Sequence, residues 1–507
     1  MTSELKKIEL IYVVLIILSA FMIITRVINI FSYSFDNEGL EQYFLHVVQR
    51  IMMHYPIYQN PEIFPFENCL YTPIYPYLLS MAMQLANIDP TIDIHKMYVF
   101  GRLITSVFIG IQFIYLYKLL SYYIASKKTM FILFLVFAML LTGHLFSIRP
   151  DALKLLFYTL FLYYSIGYFY YKKSITNVII ASICAVAAIY TKQDAAIYIC
   201  IALLSLIITA SPIKKVILIS FAIGISCLLI FGILYLMYDY AIISNLILFN
   251  LQTVKKTSQS YTIYFILLSI IRTLPLLLIL LYNIIQLYKQ KEYRNINGFI
   301  VISTCLTYIY AHFALLRAAA SLNYLYELNV LFVMNMAIYI QNKSSEFSQR
   351  IRYHYLICCY IFFLFLTSII FHTYLINIKK EKMLKVTYDV VTKEANTIKT
   401  RIGKQAIFLP NSKYMLLFAD ANMVTGHDMH IDRFIELYVD FDKIKIQSSL
   451  SKINTNVFDN SFLDGTIPYI LMPNDSKSKP HLQTYYPKYK IDYHTSNFVL
   501  YKFFSNK

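Results

Sequence analysis

Long apolar runs make up most of the chain, and short polar stretches separate them. A run of about 20 apolar residues has the length of a helix that crosses the hydrocarbon core of a membrane. The pattern predicts about eleven such helices, at residues 9–31, 97–124, 129–147, 152–171, 175–190, 195–210, 215–237, 261–287, 297–316, 322–341 and 355–376. We therefore predict a polytopic α-helical membrane protein.

A polar, aromatic-rich loop at residues 32–96 separates the first two runs. Within this loop, the spacing of apolar residues predicts an amphipathic helix from Glu38 to Met53. The apolar stretch at 78–85 is too short to cross a membrane, and the prolines at 73 and 76 suit the start of a helix. We predict an interfacial or re-entrant helix there.

Paired basic residues set the predicted orientation. Lysine pairs lie at positions 6–7, 127–128, 172–173 and 214–215, next to apolar runs. Since such residues favour the cytoplasmic side, the N-terminus is predicted to lie inside and the C-terminus outside. This orientation places the later basic pairs inside only if residues 72–88 do not cross the membrane. If they crossed it, those pairs would face outward. The first run lacks a small-residue cleavage site, so we predict an uncleaved anchor.

The composition changes to that of a soluble domain at about residue 377. The pattern predicts a helix at 378–400 and short strands at 406–409, 467–471 and 498–501. We therefore predict two domains: a membrane domain at 1–376 and a small extracytoplasmic α/β domain at 377–507.

Composition excludes several classes of protein. The 507 residues are 58% hydrophobic and only 14% charged, against about 25% charged in soluble proteins. The net charge of +17 resides largely in the basic pairs between apolar runs, so nucleic-acid binding is not expected. Six of the seven cysteines lie in apolar runs, which argues against a disulfide framework. The isolated His427 and His430 form only a weak metal motif. We expect no cofactor, and the sequence leaves a divalent-metal requirement open without indicating one.

Ionisable residues collect at one predicted side of the membrane, at the outer ends of the spans. They are Asp36, Glu38, Arg149, Asp151, Lys192, Asp194, Arg317 and Glu327. Charges at a membrane are costly and often functional. A carboxylate in this ring suits a general base for a hydroxyl group. Arginine suits a phosphate group, and lysine suits the charge of a departing phosphate.

Each of these positions also has a purely structural interpretation. Asp36 and Glu38 are also consistent with solvated acids after a span. Arg149 and Asp151 flank Pro150 and would form a local ion pair in a tight turn. Lys192 would extend from a helix end to the membrane surface.

Five short motifs together resemble a known family. They are Phe35–Gly39 (FDNEG), Tyr71–Leu79 (YTPIYPYLL), Arg149–Leu153 (RPDAL), Thr191–Ala195 (TKQDA) and Asn323–Leu328 (NYLYEL). Their order, and their predicted location on the same side of the membrane, resemble the GT-C superfamily of membrane glycosyltransferases. The bacterial branch similar to protein O-mannosyltransferases and the lipid A aminoarabinose transferase fits best.

This resemblance implies an inverting transfer of a hexose or pentose from a polyprenyl-phosphate donor. The acceptor would be a lipid, a glycan or a protein, at the outer face of a bacterial inner (plasma) membrane. Asp36 would be the catalytic carboxylate, with Glu38 as the alternative, because Asn37 interrupts the family's acidic pair. The resemblance implies donor-phosphate contacts from Arg149, Lys192, Arg317 and Arg102. The sugar and acceptor pocket would be lined by Asp151, Gln193, Asp194, Asn323, Tyr324 and Glu327.

Two other functions fit the sequence less well. A transporter or lipid-linked oligosaccharide flippase would require charged or unwound segments near mid-membrane, and the sequence has few. A non-catalytic assembly protein would present the C-terminal domain and would not depend on the outer charges.

Overall fold

A computed structural model describes the larger part of the chain. The described residues are 13–14, 16–17, 20–21, 23–33, 41–60, 69–141, 147–172, 174–210, 212–248, 259–291, 293–316, 322–343, 360–364, 366, 385–409, 412–418, 421, 423–424, 462–474 and 487–504. Asp36, Glu38, Arg317, His427 and His430 lie outside them. Nothing structural is therefore established for these predicted site residues.

The described part of the chain is mainly helical. Its helices are α1 (Glu41–Met52), α2 (Ile74–Leu85), α3 (Ile94–Leu120), α4 (Lys127–Leu140), α5 (Asp151–Tyr171), α6 (Ile175–Thr191), α7 (Ala195–Thr209), α8 (Ile213–Tyr238), α9 (Tyr240–Ile243), α10 (Gln259–Gln290), α11 (Ile296–Ala314), α12 (Tyr326–Lys343) and α13 (Lys385–Ile402). A π-helical turn covers Ser244–Leu248, and 3-10 helices cover Leu322–Leu325 and Ser412–Phe418. Residues 23–30 are also helical.

Five of these helices are long and apolar enough to cross a membrane. They are Ile94–Leu120, Asp151–Tyr171, Ile213–Tyr238, Ile263–Gln290 and Ile296–Ala314. Helix α8 exposes Leu218 (68%), Leu228 (72%) and Leu236 (86%), as expected of a helix that faces lipid. The chain is therefore an integral membrane protein by fold and composition. The total of about eleven spans stays a prediction, because 344–359 and 367–384 lie outside the described residues.

Helix α4 is shorter than the predicted span at 129–147. It ends at Leu140, and side chains of two other helices bind its last carbonyl groups. Arg272 Nη2 donates to the carbonyl of Met139 at 2.6 Å, and Asn329 Nδ2 donates to that of Leu140 at 3.3 Å. Helix-end carbonyls in a membrane need such partners, because no water is present to bind them.

The chain forms two compact units. The first contains Met1–Phe31, Leu103–Leu229 and Lys255–Lys380. The second contains Ser32–Arg102, Ile230–Val254 and Glu381–Lys507. The predicted outer loop thus groups with the C-terminal residues, and the division into domains at residue 377 stays a prediction.

In the second unit, helix α1 is more enclosed than an amphipathic surface helix. All of its residues except Ile51 are buried, the polar ones included. Its polar face packs against the 3-10 helix at 412–418, where Gln49 Nε2 donates to the carbonyl of Leu416 at 3.2 Å. Burial, and secondarily the charge of Arg50, lowers the pKa of His46 to about 3. His46 is therefore neutral at physiological pH.

A five-stranded mixed sheet completes the second unit. Its strands are β1 (Ile407–Phe408), β2 (Met423–Val424), β3 (Tyr469–Pro473), β4 (Tyr489–His494) and β5 (Phe498–Phe503), in the order β2-β1-β3-β5-β4. Strand β1 is parallel to β2 and β3, and β5 is antiparallel to β3 and β4. The three predicted strands are confirmed as β1, β3 and β5. Strands β2 and β4 were missed, since one has two residues and the other is largely polar.

Glu394 fastens helix α13 to the turn between β4 and β5. Its carboxylate accepts hydrogen bonds from the hydroxyl groups of Thr495 and Ser496 and from the backbone and side-chain amides of Asn497. Burial alone would raise the pKa of Glu394, but these hydrogen bonds outweigh it and lower the pKa. The ionised carboxylate therefore stabilises the fold of this unit.

We expect Glu394→Gln to destabilise the second unit by about 1–2 kcal/mol, because hydrogen bonds to a charged acceptor are lost. The measurement is the urea midpoint for proteolysis of the C-terminal residues in the detergent-solubilised full chain. Since the folded pKa is lowered, the stabilisation is present above the ordinary value of 4.5 and is lost as pH falls through the folded pKa. A gap between wild type and variant that widens on acidification would contradict this account.

Candidate functional site

Three segments of the first unit bring ionisable residues together. In the first, Arg149 precedes α5, and Asp151 and Lys154 lie in its first turn. In the second, Lys192 and Asp194 lie in the tight turn between α6 and α7. The third supplies Glu327, at the start of α12, and the neutral Asn323, from the preceding 3-10 helix.

Local helix geometry suits these charges. Asp151 is the first residue of α5, where the helix dipole favours a negative charge. Lys192 follows the last residue of α6, where the dipole favours a positive charge. Two helix ends of opposite polarity therefore carry side chains of opposite charge.

The charged side chains alternate in sign along a chain of ion pairs. Lys192 Nζ lies 2.7 Å from Asp151 Oδ1 and 3.7 Å from Asp194 Oδ2. Lys154 Nζ lies 3.1 Å from Asp194 Oδ2 and 2.9 Å from Glu327 Oε1. At the other end, Arg149 Nε lies 3.6 Å from Asp151 Oδ2. We call these six residues the charge cluster; it holds three cations and three carboxylates.

Neighbouring polar and aromatic groups complete the charge cluster. Asn323 Nδ2 donates to Asp151 Oδ1 at 3.3 Å. Lys154 lies over the ring of Tyr198 at 5.1 Å, and Lys192 lies over that of Tyr324 at 5.4 Å. The Tyr198 hydroxyl donates to the carbonyl of Tyr324 at 2.7 Å. This hydrogen bond connects the two tyrosines whose rings contact the lysines.

Exposure divides the charge cluster into an inner and an outer part. The side chains of Lys154 and Glu327 are 0% and 1% exposed, whereas Arg149 and Lys192 are each 9% exposed. Asp194 is 8% exposed, and its Oδ1 has no hydrogen-bond partner among the described residues. The outer part of the charge cluster therefore presents two cations, Arg149 and Lys192.

The structure brings most of the predicted site residues together. Arg149, Asp151, Lys192, Asp194 and Glu327 belong to the charge cluster. Asn323 and Tyr324 contact it, and the half-buried Gln193 lies in the turn between Lys192 and Asp194. Arg102 belongs to the second unit, where it pairs with Glu41. Their predicted roles stay predictions.

Two cations buried within the apolar helices α5 and α10 escaped the sequence analysis. Lys154 lies three residues after Asp151, a spacing that places both on one helix face, but it was treated as part of an apolar run. Arg272 interrupts the apolar α10 and is 3% exposed. In both cases a single basic residue inside an apolar run was the available signal.

No group of three or more His, Cys, Asp and Glu residues in the described ranges is arranged to hold a metal ion. The carboxylates of the charge cluster are each within ion-pair distance of a cation. The metal requirement was left open by the sequence and stays a prediction.

Comparison with solved structures identifies the fold of the chain. No protein-family model matches the chain, and no curated protein sequence matches it. Among solved structures, ArnT from Cupriavidus metallidurans bound to undecaprenyl phosphate is similar, with a TM-score of 0.58 and 8% identity over 96% of this chain and 97% of that one. Its apo state gives a TM-score of 0.60 and 9% identity over the same shares. The chain has the GT-C fold.

A second pair of structures carries the same GT-C fold. The Archaeoglobus fulgidus oligosaccharyltransferase tethered to an acceptor peptide has a TM-score of 0.56 and 11% identity, over 98% of this chain and 74% of that one. AglB of the same organism, in complex with an inhibitory peptide and a dolichol-phosphate, gives the same TM-score and identity over 91% and 69%. The resemblance seen in the sequence motifs is confirmed at the level of the GT-C fold.

We expect Lys154→Met to destabilise the protein by about 3–5 kcal/mol, because it leaves the buried Glu327 and Asp194 without their shared cation. The measurement is the thermal midpoint of the purified protein in detergent. Lys154→Met combined with Glu327→Leu restores the charge balance and is expected to recover most of the loss. The exposed Lys118→Met is the control. A single variant as stable as this control would contradict the account.

Proposed function

We propose that the chain is a membrane glycosyltransferase that moves a sugar from a polyprenyl-phosphate donor to a hydroxyl group of a lipid, glycan or protein acceptor. The observation that carries the proposal is the charge cluster at adjoining helix ends, in a chain with the GT-C fold. The reaction takes place at the outer face of the membrane, with the N-terminus in the cytoplasm and the C-terminal residues outside. The membrane is a bacterial inner membrane.

The outer part of the charge cluster suits the donor phosphate. Lys192 and Arg149 are its partly exposed cations, whereas Lys154 is fully enclosed. The 3.6 Å contact between Arg149 and Asp151 is longer than a normal hydrogen bond, so a phosphate oxygen can compete for it. A guanidinium group binds two phosphate oxygens at once, and an ammonium group adds a point charge.

Asp151 keeps a hydrogen-bond partner when the donor phosphate binds. In the absence of donor it pairs with Lys192, and it also contacts Arg149 and Asn323. When Lys192 and Arg149 turn to the phosphate, Asp151 keeps its hydrogen bond from Asn323. The inner Lys154 continues to balance Asp194 and Glu327.

The transfer is an inverting displacement. Asp36, with Glu38 as the alternative, removes the proton from the acceptor hydroxyl as its oxygen attacks the anomeric carbon. The bond between that carbon and the phosphate oxygen breaks, and polyprenyl phosphate leaves with the bonding electrons. Lys192 and Arg149 stabilise the negative charge that develops on this oxygen. The Asp194 carboxylate, 8% exposed, is the acceptor we assign to a hydroxyl group of the sugar.

The ligands of the similar structures support the choice of donor. One ArnT structure holds undecaprenyl phosphate, and one AglB structure holds a dolichol-phosphate together with an inhibitory peptide. Both lipids carry a phosphate head. The sugar and the acceptor of this chain are not implied by these ligands.

A transporter or flippase remains the competing proposal, and Arg272 is the observation that bears on it. This cation lies near the middle of α10, the place where a transport path would need charge. Its guanidinium, however, binds the carbonyl of Met139 at the end of α4. Such a contact supports a structural role in capping a helix end.

We expect Lys192→Ala to lower kcat on the order of 100- to 1000-fold, because the departing phosphate loses a cation. Asp36→Asn is expected to lower kcat on the order of 100- to 10000-fold, because the base is lost. Turnover of polyprenyl-phosphate sugar is measured in membranes that contain each variant. Lys118→Ala, a basic residue away from the charge cluster, serves as the control.

Activity near wild type in both Lys192→Ala and Asp36→Asn would overturn the proposed site. If wild-type membranes release no polyprenyl phosphate from any donor, the transferase proposal itself fails. Movement of a labelled lipid-linked sugar across the membrane, without transfer, would instead support the flippase.

A further inference from the structure

Arg102, in the second unit, has a hydrogen-bond acceptor for each of its three guanidinium nitrogen atoms. It lies in the third turn of α3, and its guanidinium group makes a bidentate contact with the Glu41 carboxylate. Nε donates to Glu41 Oε1 at 3.1 Å, and Nη2 donates to Oε2 at 2.6 Å. The third nitrogen, Nη1, donates to the carbonyl of Ser32 at 3.1 Å and contacts its hydroxyl at 3.4 Å.

This arrangement is enclosed. Arg102 is 1% exposed and Glu41 is 0% exposed, and the guanidinium lies over the ring of Tyr98 at 5.1 Å. Two-pronged arginine–carboxylate contacts fix both position and orientation. In a dry environment they also exchange slowly, since either charge alone would be costly to leave unpaired.

The hydrogen-bond acceptors of Arg102 among the described residues flank the acidic motif in the sequence. Ser32 lies just before it and Glu41 just after it, so the segment with Asp36 and Glu38 joins two points held by one side chain. The start of the segment has a further anchor. The ring of Tyr33 stacks on His95 at 4.0 Å and lies 5.5 Å from that of Tyr388.

We propose that Arg102 is a positioning residue for the acidic segment and does not bind the donor phosphate. By holding Ser32 and Glu41, it limits the movement of both ends of the segment and thereby of the carboxylate that acts as base. All three of its nitrogen atoms have acceptors within the second unit, which are the contacts a phosphate would have to displace. This inference rests on the proposed function.

The choice of variant separates positioning from folding. Replacement of Arg102 alone leaves the buried Glu41 carboxylate without this cation and is expected to destabilise the fold. The double replacement Arg102→Met with Glu41→Leu removes both charges and keeps an apolar filling, a change that buried pairs often tolerate. Arg401→Met is the matched control. Arg401 also binds a carboxylate and a main-chain carbonyl, both of Asp492, but in the C-terminal sheet.

We expect the double variant to lower kcat on the order of 100-fold, the scale of a misplaced catalytic group. The KM for the donor is expected to change less than about threefold, because phosphate contacts remain. Arg401→Met is expected to match wild type. A large rise in KM with kcat retained would assign Arg102 to the phosphate and overturn the proposal. A double variant with wild-type kcat would also overturn it.

A second readout does not depend on turnover. Asn37→Cys is introduced into wild type, the double variant and Arg401→Met, and a membrane-impermeant maleimide is added from outside. Mass spectrometry of the peptide with residue 37 gives the labelling rate. We expect labelling at least about fivefold faster in the double variant than in the other two, since local opening exposes a held segment. Equal rates in all three would overturn the proposal.

The two readouts separate the two proposals. If wild type transfers no sugar but the double variant labels faster, the proposed function fails and the anchoring by Arg102 stands. If wild type transfers sugar and Asp36→Asn abolishes it while the double variant behaves as wild type in both assays, the function stands and the positioning role fails.

Discussion

A charge buried away from water must meet an opposite charge or hydrogen-bonding partners, and this requirement organises the protein. In the first unit, Lys154 and Glu327 are almost completely enclosed, so the ends of α5, α7 and α12 must adjoin for their charges to balance. In the second unit, the enclosed Arg102 and Glu41 connect α1 to the third turn of α3 in the same way. The apolar surfaces set where the helices lie, and these ion pairs set which ends meet.

The same requirement leaves room for chemistry. The charge cluster pairs three cations with three carboxylates, so its formal charges balance without a ligand. Exposure is lowest at Lys154, Glu327 and Asp151 and highest at Arg149 and Lys192. Under the proposed function, an anionic headgroup replaces Asp151 as the partner of Lys192 and Arg149, while Lys154 continues to balance Asp194 and Glu327. This is the property that a transferase needs if it binds a phosphate, releases it and remains folded throughout.

The sequence allowed the helical class, three strands and most of the charge cluster to be predicted, because ionisable residues at the ends of apolar runs stand out against their surroundings. Lys154 was missed because one basic residue inside an apolar run leaves hydropathy almost unchanged. The pairing of Glu41 with Arg102 was missed because it joins positions far apart in sequence, and only tertiary packing brings them together. The same packing buried the polar face of α1, which sequence periodicity had assigned to a surface.

Direct binding of the lipid phosphate tests the central claim most closely. Native mass spectrometry of the purified protein with undecaprenyl phosphate measures the fraction that retains the lipid. The account predicts a retained one-to-one adduct in wild type and in Lys118→Gln, and loss of most of it in Lys192→Gln, because only the last change removes a cation from the rim of the charge cluster. Equal retention in all three proteins would contradict the claim that this cluster receives the phosphate.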